Sequence, residues 1–336
     1  SPRLSVLFLC FNRVLGEHLR SEVSSEDGDV QVWSLHQYIR HIVNAAGRGD
    51  RLHDAERTVG DAGQLFRDVY PDLFETAVLE LMDHDGFVGF DTLVIDEGQD
   101  ILFSPTIDAV GMVLKGGFAL GRWILFYDPD LQSDLYGRMD ERVLETFSGY
   151  NPVRLGVQEN FRNPEPIVDE MCKVTGAEKP VCRRQLHVRM DYRRYSTGAE
   201  QGKKLRALLV ELVKEGVEAS SISILSGCRR DKSCIEKFPP DVGKKIVFID
   251  GGHPVPVDDS CITACTVSSF KGMENEVIIL TDLPVPFPEK EWDRSVVYVG
   301  MTRARTRVYA LVTQQFLDFR FGSNEAESEA KNAGAA

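Results

Sequence analysis

The chain has 336 residues, enough for two domains with real cores. A hydrophobic content of 43% and a charged content of 27% are those of an ordinary soluble protein, and the net charge of -13 argues against a general nucleic-acid-binding surface while leaving room for a local basic groove. No apolar run approaches the ~18 residues of a membrane span. The start, SPRLSVLFLCFNR, meets Asn12 and Arg13 without a small-residue cleavage site, so the expectation is a cytoplasmic protein with no membrane partner.

Strand-like and helical runs alternate, which predicts βαβ units in an α/β fold with mainly parallel sheets. LSVLFLCF (4–11) reads as a buried strand, followed by a short helix through Leu15 and Leu19. DVQVWSLHQYI (29–39) reads as a strand running into a helix, and the polar, glycine-bearing stretch from Ala45 to Gly63 as a surface loop. PDLFETAVLELMDH (71–84) places Leu73, Phe74, Ala77, Val78 and Leu81 on one helical face. TLVIDE and RWILFYD (122–128) both run from strand into acid. KKLRALLVELVKEG (203–216) puts Leu205, Leu208, Leu209, Leu212 and Val213 on one stripe, with Gly216 as C-cap. ISIL, KKIVFID, ITACTV, EVIILTDL and VYALVT supply further strands, and the tail 322–336 has too little to bury to be ordered. The division is a first domain over 1–149 and a second over 150–321.

Seven cysteines invite a metal, but geometry weakens the case. Cys261 and Cys265 lie in a strand-like run where four residues span roughly 13 Å, too far for one zinc with sulfur bonds of ~2.3 Å. Cys228 and Cys234 lack CxxC spacing, and an odd total suits buried or incidental thiols in a reducing compartment.

TLVIDEGQD, Thr92 to Asp100, raises the chemical question. A continuous apolar run reads as a strand covered on both faces of a parallel sheet, and ligands of such sheets sit outside the carboxyl ends of the strands. Asp96 and Glu97 would crowd there, and crowded carboxylates call for a cation or a proton. Mg²⁺ beside a general base, as in nucleoside triphosphatases, is the economical reading. The strand taken alone favours solvated acids.

Further patterns decide between them. IDEGQD stands in order with LFLCFNRVLGEHL, FYDPDLQSDLYG, LGVQENFRNPEPI, TVSSFKGMENEVIIL (266–280) and VVYVGMTRART (296–306). Together these resemble the UvrD/Rep-like superfamily 1 DNA helicases, over about Val6 to Val312. The resemblance implies two RecA-like domains, the first incomplete at its N-terminus, which in the complete enzyme bind ATP and Mg²⁺ between them and single-stranded DNA across their top. It makes Asp96 the Mg²⁺-holding residue, Glu97 the base for the attacking water, and Gln99 a link to neighbouring motifs. Gln132 resembles the γ-phosphate sensor, although the usual form places this glutamine sooner after the aspartate. Arg162 and Arg303 resemble the arginines that reach the γ-phosphate from the second domain, work that suits a permanently charged fork of donors. Gly272 and Glu274 resemble elements near the nucleotide's phosphate and ribose. On the DNA side the resemblance points to Phe11, Asn12, Ser34, His36, Tyr136, Thr266 and Ser268, where many relatives carry histidine in place of the serine. Core packing competes for Phe11 and Tyr136, and a plain helix-start role for His36. RRQLHVRMDYRRY (183–195) reads equally as a backbone-binding stripe and as a solvated strand pair. RNA stays open as an alternative to DNA, as does a protein partner supplying further domains.

One departure divides the reading. The 336 residues contain no GxxxxGK[ST] loop to cradle phosphates. In relatives that loop precedes the strand resembling LSVLFLCF. The chain is therefore either a truncated or natural fragment of an ATP-dependent helicase or translocase, ATPase-inactive alone, or a non-catalytic helicase-like scaffold in a DNA-processing or defence assembly.

Overall fold

The computed structural model describes residues 4–23, 29–84, 87–101, 103–128, 141–186, 188, 190–237, 246–249 and 260–322. The chain divides into two compact units, Ser1–Leu155 and Gly156–Ala336. Both are α/β and both are built on parallel sheets.

The first unit carries β1 (Ser5–Cys10), β2 (Asp29–Ser34), β3 (Thr92–Ile95) and β4 (Arg122–Leu125) in the order β2-β1-β3-β4. All three pairings are parallel, with Leu9 opposite Ile95 in the β1–β3 register. Leu7, Leu9, Leu93 and Ile95 join a core with Ile39 and Val43 of the helix Leu35–Ala45 and with Phe74, Ala77 and Val78 of the helix Tyr70–Asp83. Leu73 and Leu81, expected on the same face as Phe74, are only partly buried. The stretch expected as a loop over 45–63 contains a helix, Gly49–Thr58. Its single aliphatic anchor, Leu52, is buried, and Ala55 and Val59 pack beside it; one leucine among polar residues gave too weak a periodicity to read. β4 is a sheet edge, and Ile124 on it and Phe126 just past it stand exposed.

The second unit holds a six-stranded sheet in the order β7-β12-β11-β8-β10-β9. These strands are β7 (Met190–Arg194), β8 (Ile222–Ser226), β9 (Ile246–Phe248), β10 (Ile262–Thr266), β11 (Asn275–Thr281) and β12 (Ala304–Val312). Beside it, β5 (Glu159–Pro164) and β6 (Val181–Arg184) form a parallel pair joined by the helix Glu165–Thr175. Of the stripe on Gly198–Lys214, Leu205, Leu208, Leu209 and Leu212 are buried, but Val213 is exposed, at the margin of the stripe one residue beyond Leu212. Gly216 follows at φ 81°, as a helix-ending glycine should. The basic run 183–195 is not a strand pair, since β6 pairs with β5 and β7 with β12. Among its described residues Arg183 is held by Glu159, Arg193 by Asp191 and Glu211, and Arg194 by Gln314. Residues 323–336 of the tail, with Gln132 and Tyr136, lie outside the described residues.

Candidate functional site

In the first unit the acidic group sits at the carboxyl end of β3, an inner strand. The chain beyond β3 stays tied to the chain beyond β4 through Gly98 N to Phe126 O (2.8 Å) and Phe126 N to Ile95 O (2.9 Å). Glu97 adopts φ 53°, a conformation that costs free energy in any residue with a side chain and persists only when neighbours enforce it. Three contacts do so. Its own N–H donates to Asp96 Oδ1 (3.0 Å), Gln99 Nε2 donates to Glu97 Oε2 (2.5 Å), and Gln99 Oε1 accepts from Asp128 N (3.0 Å). Gln99 is buried, so it links the carboxylate to the end of β4 from beneath. Asp96 and Glu97 stay half-buried. Below them Cys10 closes β1; burial, reinforced by the charge of Asp96, pushes its thiol up to about 12.

The donor set fits Mg²⁺, which takes oxygen ligands and commonly binds through one or two carboxylates with phosphates and water completing the shell. Among the described residues no group of three or more histidine, cysteine or acidic side chains forms a metal cage.

At the ends of β1 and β2, Phe11 and His36 are brought together by a ring not singled out in the sequence. Phe66, on the π-helical turn Leu65–Val69, lies 6.0 Å from Phe11 and 5.5 Å from His36 between ring centroids. No short motif marks Phe66 in the sequence. His36 Nε2 also meets the Tyr70 hydroxyl at 3.1 Å. Asn12 caps a helix start, and Ser34 stands at the next one without capping its backbone. Asn12 Oδ1 accepts from Val14 N (2.8 Å) and Leu15 N (3.4 Å), and buried Ser34, at the N-cap of the next helix, donates to Gln37 Oε1 (3.0 Å).

In the second unit Arg162 and Glu274 are joined, Nε to Oε2 at 2.5 Å. Gly272, at φ 83°, supplies the turn that delivers Glu274 to β11, where a side chain would be strained. Two arginines that the sequence reading quoted only within longer runs complete the cluster. Arg305 approaches Glu274 (3.6 Å) and Glu276 (3.4 Å), and Arg184 Nη1 donates to the carbonyls of Arg162 (2.8 Å) and Arg305 (2.9 Å). Asn163, also unforeseen, is buried and donates through Nδ2 to Thr302 O (3.1 Å) and Ala304 O (2.7 Å), fixing Arg162 against the turn that carries Arg303. The second arginine of TRAR was the available signal for Arg305. Arg303 itself is buried, its Nε donating to Val299 O (3.1 Å) and its Nη2 to Thr302 Oγ1 (2.9 Å). To meet a phosphate it would have to leave these bonds. Thr266 and Ser268 come together after β10, with their hydroxyls 3.0 Å apart and Ser269 Oγ 2.8 Å from Thr266 Oγ1.

No family model matches the chain. No curated protein matches it at a significant level. Among solved structures it is similar to the C-terminal domain of a possible DNA helicase from Lactobacillus plantarum WCFS1, at 14% identity and TM-score 0.33, over 46% of this chain and 88% of that one. It is also similar to the PRRSV helicase, at 10% identity and TM-score 0.42, over 92% of this chain. This chain spans about half of that helicase, 47% of its length.

Proposed function

We propose that this chain is the core of an ATP-dependent nucleic-acid translocase or helicase of the UvrD/Rep type, acting on single-stranded DNA and inactive as an ATPase by itself. The observation that carries the reading is Glu97, held at positive φ by Gln99 at the carboxyl end of an inner parallel strand, with Asp96 beside it. Asp96 would hold Mg²⁺, which in the complete enzyme supplies charge neutralisation to the phosphates. Glu97 would orient a water and take its proton, with Gln99 keeping the carboxylate on its line. Arg162 and Arg303 would meet charge that develops on the phosphates. A second reading, a non-catalytic helicase-like scaffold, holds if the natural protein has no GxxxxGK[ST] loop beyond these 336 residues, which contain none.

Steady-state ATP hydrolysis with a dT oligonucleotide present separates the two. The 336-residue chain should show no ordinary turnover, because its sequence supplies no cradle for the β- and γ-phosphates; turnover abolished by Glu97→Gln would overturn that inactivity. In a form carrying a phosphate loop ahead of β1, Glu97→Gln should keep nucleotide binding and remove most hydrolysis. Arg162→Ala and Arg303→Ala, checked for folding, should each lower turnover by roughly 10³–10⁵. Absence of turnover in that form would favour the scaffold.

A further inference from the structure

The loop that leaves β8 has a construction that the ATP reading does not use. Asp282, just past β11, adopts φ 52°, and its carboxylate gathers both ends of the loop. Ser226 Oγ, at the loop's start, lies 2.9 Å from Asp282 Oδ2 and from Cys228 O, and accepts from Cys228 N (3.2 Å). At the loop's far end Ser233 Oγ donates to Asp282 Oδ2 (2.6 Å) and Cys234 N to Asp282 Oδ1 (3.1 Å). Gln201 completes the set when its amide nitrogen faces Asp282 Oδ1 (3.2 Å). Gly227 has to be glycine, because a Cβ there would lie 2.4 Å from Asp282 O. Between these anchors the chain rises in one short arch, Cys228 to Lys232, closed by Lys232 N to Arg229 O (3.0 Å) and Ser233 N to Arg230 O (3.1 Å).

The arch reads CRRDK, and Arg229, Arg230 and Lys232 are all exposed. Arg230 is committed locally, to Glu236 (2.9 Å) and to the face of Phe248, 4.4 Å from its ring centroid. Among the described residues neither Arg229 nor Lys232 enters an ion pair. Two uncommitted cations on a surface loop are ordinary. Two held on a pinned arch, in a chain of net charge -13, are preorganised to receive negative charge.

The sheet order says what kind of anion. β8, β10 and β9 are consecutive neighbours, so their carboxyl ends form a row. The arch stands on β8 and leans through Arg230 onto Phe248, which ends β9; between them Thr266 ends β10 and Ser268 and Ser269 follow it, their hydroxyls grouped around Thr266 Oγ1. Three strands spaced about 4.8 Å apart make a row about 10 Å long. Such a row offers charge and hydroxyls in sequence, matched to an extended chain of phosphates rather than to one phosphate group.

We propose that Arg229 and Lys232 bind the backbone of a single-stranded nucleic acid, and that the Asp282 clamp fixes the arch for this contact. The inference rests on the nucleic-acid half of the proposed function and adds two contact residues to it. The test is fluorescence anisotropy with a labelled dT oligonucleotide and the full chain across a salt series. Arg229→Ala with Lys232→Ala should weaken binding and reduce the log–log salt slope by about 1.4, two phosphate contacts at about 0.7 each for a single strand. Asp231→Asn, which removes the arch's one acid, should tighten it. Lys203→Ala with Lys204→Ala, on the exposed side of the helix Gly198–Lys214, removes the same charge elsewhere and should leave the slope nearly unchanged. If the arch pair and the control pair act alike, or if neither acts while the unaltered chain binds, the inference fails and the proposed function stands. If the unaltered, folded chain does not bind at low salt, the nucleic-acid half of the proposed function falls and takes the arch with it.

Discussion

The two units solve the same architectural problem to different degrees. In the second unit β8 is buried along its whole length and β11 over five of its seven residues, with strands on both sides of each. In the first unit β3 is inner but β4 is an edge four residues long, with Ile124 on it 49% and Phe126 just past it 55% exposed. An inner parallel strand covered on both faces is held by burial and by two hydrogen-bonded ladders, an edge strand by one. The acidic site belongs to the less buttressed unit, and Gln99, in the chain that follows β3, ties Glu97 to Asp128 in the chain that follows edge strand β4. The pinned arch belongs to the better buttressed one.

Deleting core volume in each unit should expose this difference most strongly. Leu9 and Ile279 are both fully buried, one in each core. Truncating either to alanine should cost about 2–5 kcal/mol, lost transfer free energy together with the cavity left behind. Because the two cores share no residue, Leu9→Ala should lower an earlier unfolding transition and Ile279→Ala a later one. Urea unfolding followed by pulse proteolysis, with fragments assigned by mass, reads both. One shared transition displaced equally by either change would show that the units unfold together.

Asn163 gives a smaller effect, confined to the second unit. Its amide satisfies two carbonyls at the turn between the helix Glu291–Thr302 and β12, and its Oδ1 accepts from Asn160 Nδ2 (3.1 Å). Asn163→Ala leaves these groups without their partner and should cost about 1–3 kcal/mol in the later transition. Asn163→Asp keeps the shape but faces the carbonyls with an acceptor, so it should cost at least as much. A midpoint unchanged in both variants would show that water replaces the amide and that Arg162 is not registered through it.

The sequence carried β1 to β4 and β8 to β12 because each is a short β-branched or leucine-rich run, and the pairing of Asp96 with Glu97 because both lie in one motif; β5, β6 and β7 are polar and arginine-bearing and carry no such run. It did not carry Gln99's grip on Asp128, the bonds of Asn163 to the 302–304 turn, or Phe66 between Phe11 and His36, since each joins segments far apart in the chain. The helix Gly49–Thr58 escaped because one buried leucine makes no stripe. The burial of Arg303 escaped for a different reason: a motif names a residue type, while the direction of its side chain depends on Val299 and Thr302 of its own helix.

The smallest expected effect is one of pH, and it belongs to the first unit. His36 lies against Phe66 and Tyr70, with Arg40, Glu56 and Arg13 near it. Burial is the largest influence and lowers its pKa below 6.5; Arg40 and Arg13 act in the same direction and Glu56 opposes them. Folded protein therefore takes up this proton less readily than the unfolded chain. The stabilisation is complete above the unfolded value of about 6.5 and is lost as pH falls below it. Glu56 adds a second step further down. Burial, its largest influence, acts to raise its pKa, but the hydrogen bonds from Arg40 and Tyr70, with the charges of Arg40 and His36, outweigh it and hold the carboxyl below 4.5. Its contribution is present above 4.5 and fades as pH falls through the lowered value. Between pH 7 and 5.5 the histidine step acts and the Glu56 step does not, so the earlier transition should move to lower urea through His36. His36→Gln, which keeps a polar side chain but does not titrate, should reduce that movement and leave the later transition where it was. An equal acid shift in the variant and the parent would place the sensitivity elsewhere, and a shift of the later transition on substitution would show that His36 is coupled to both units.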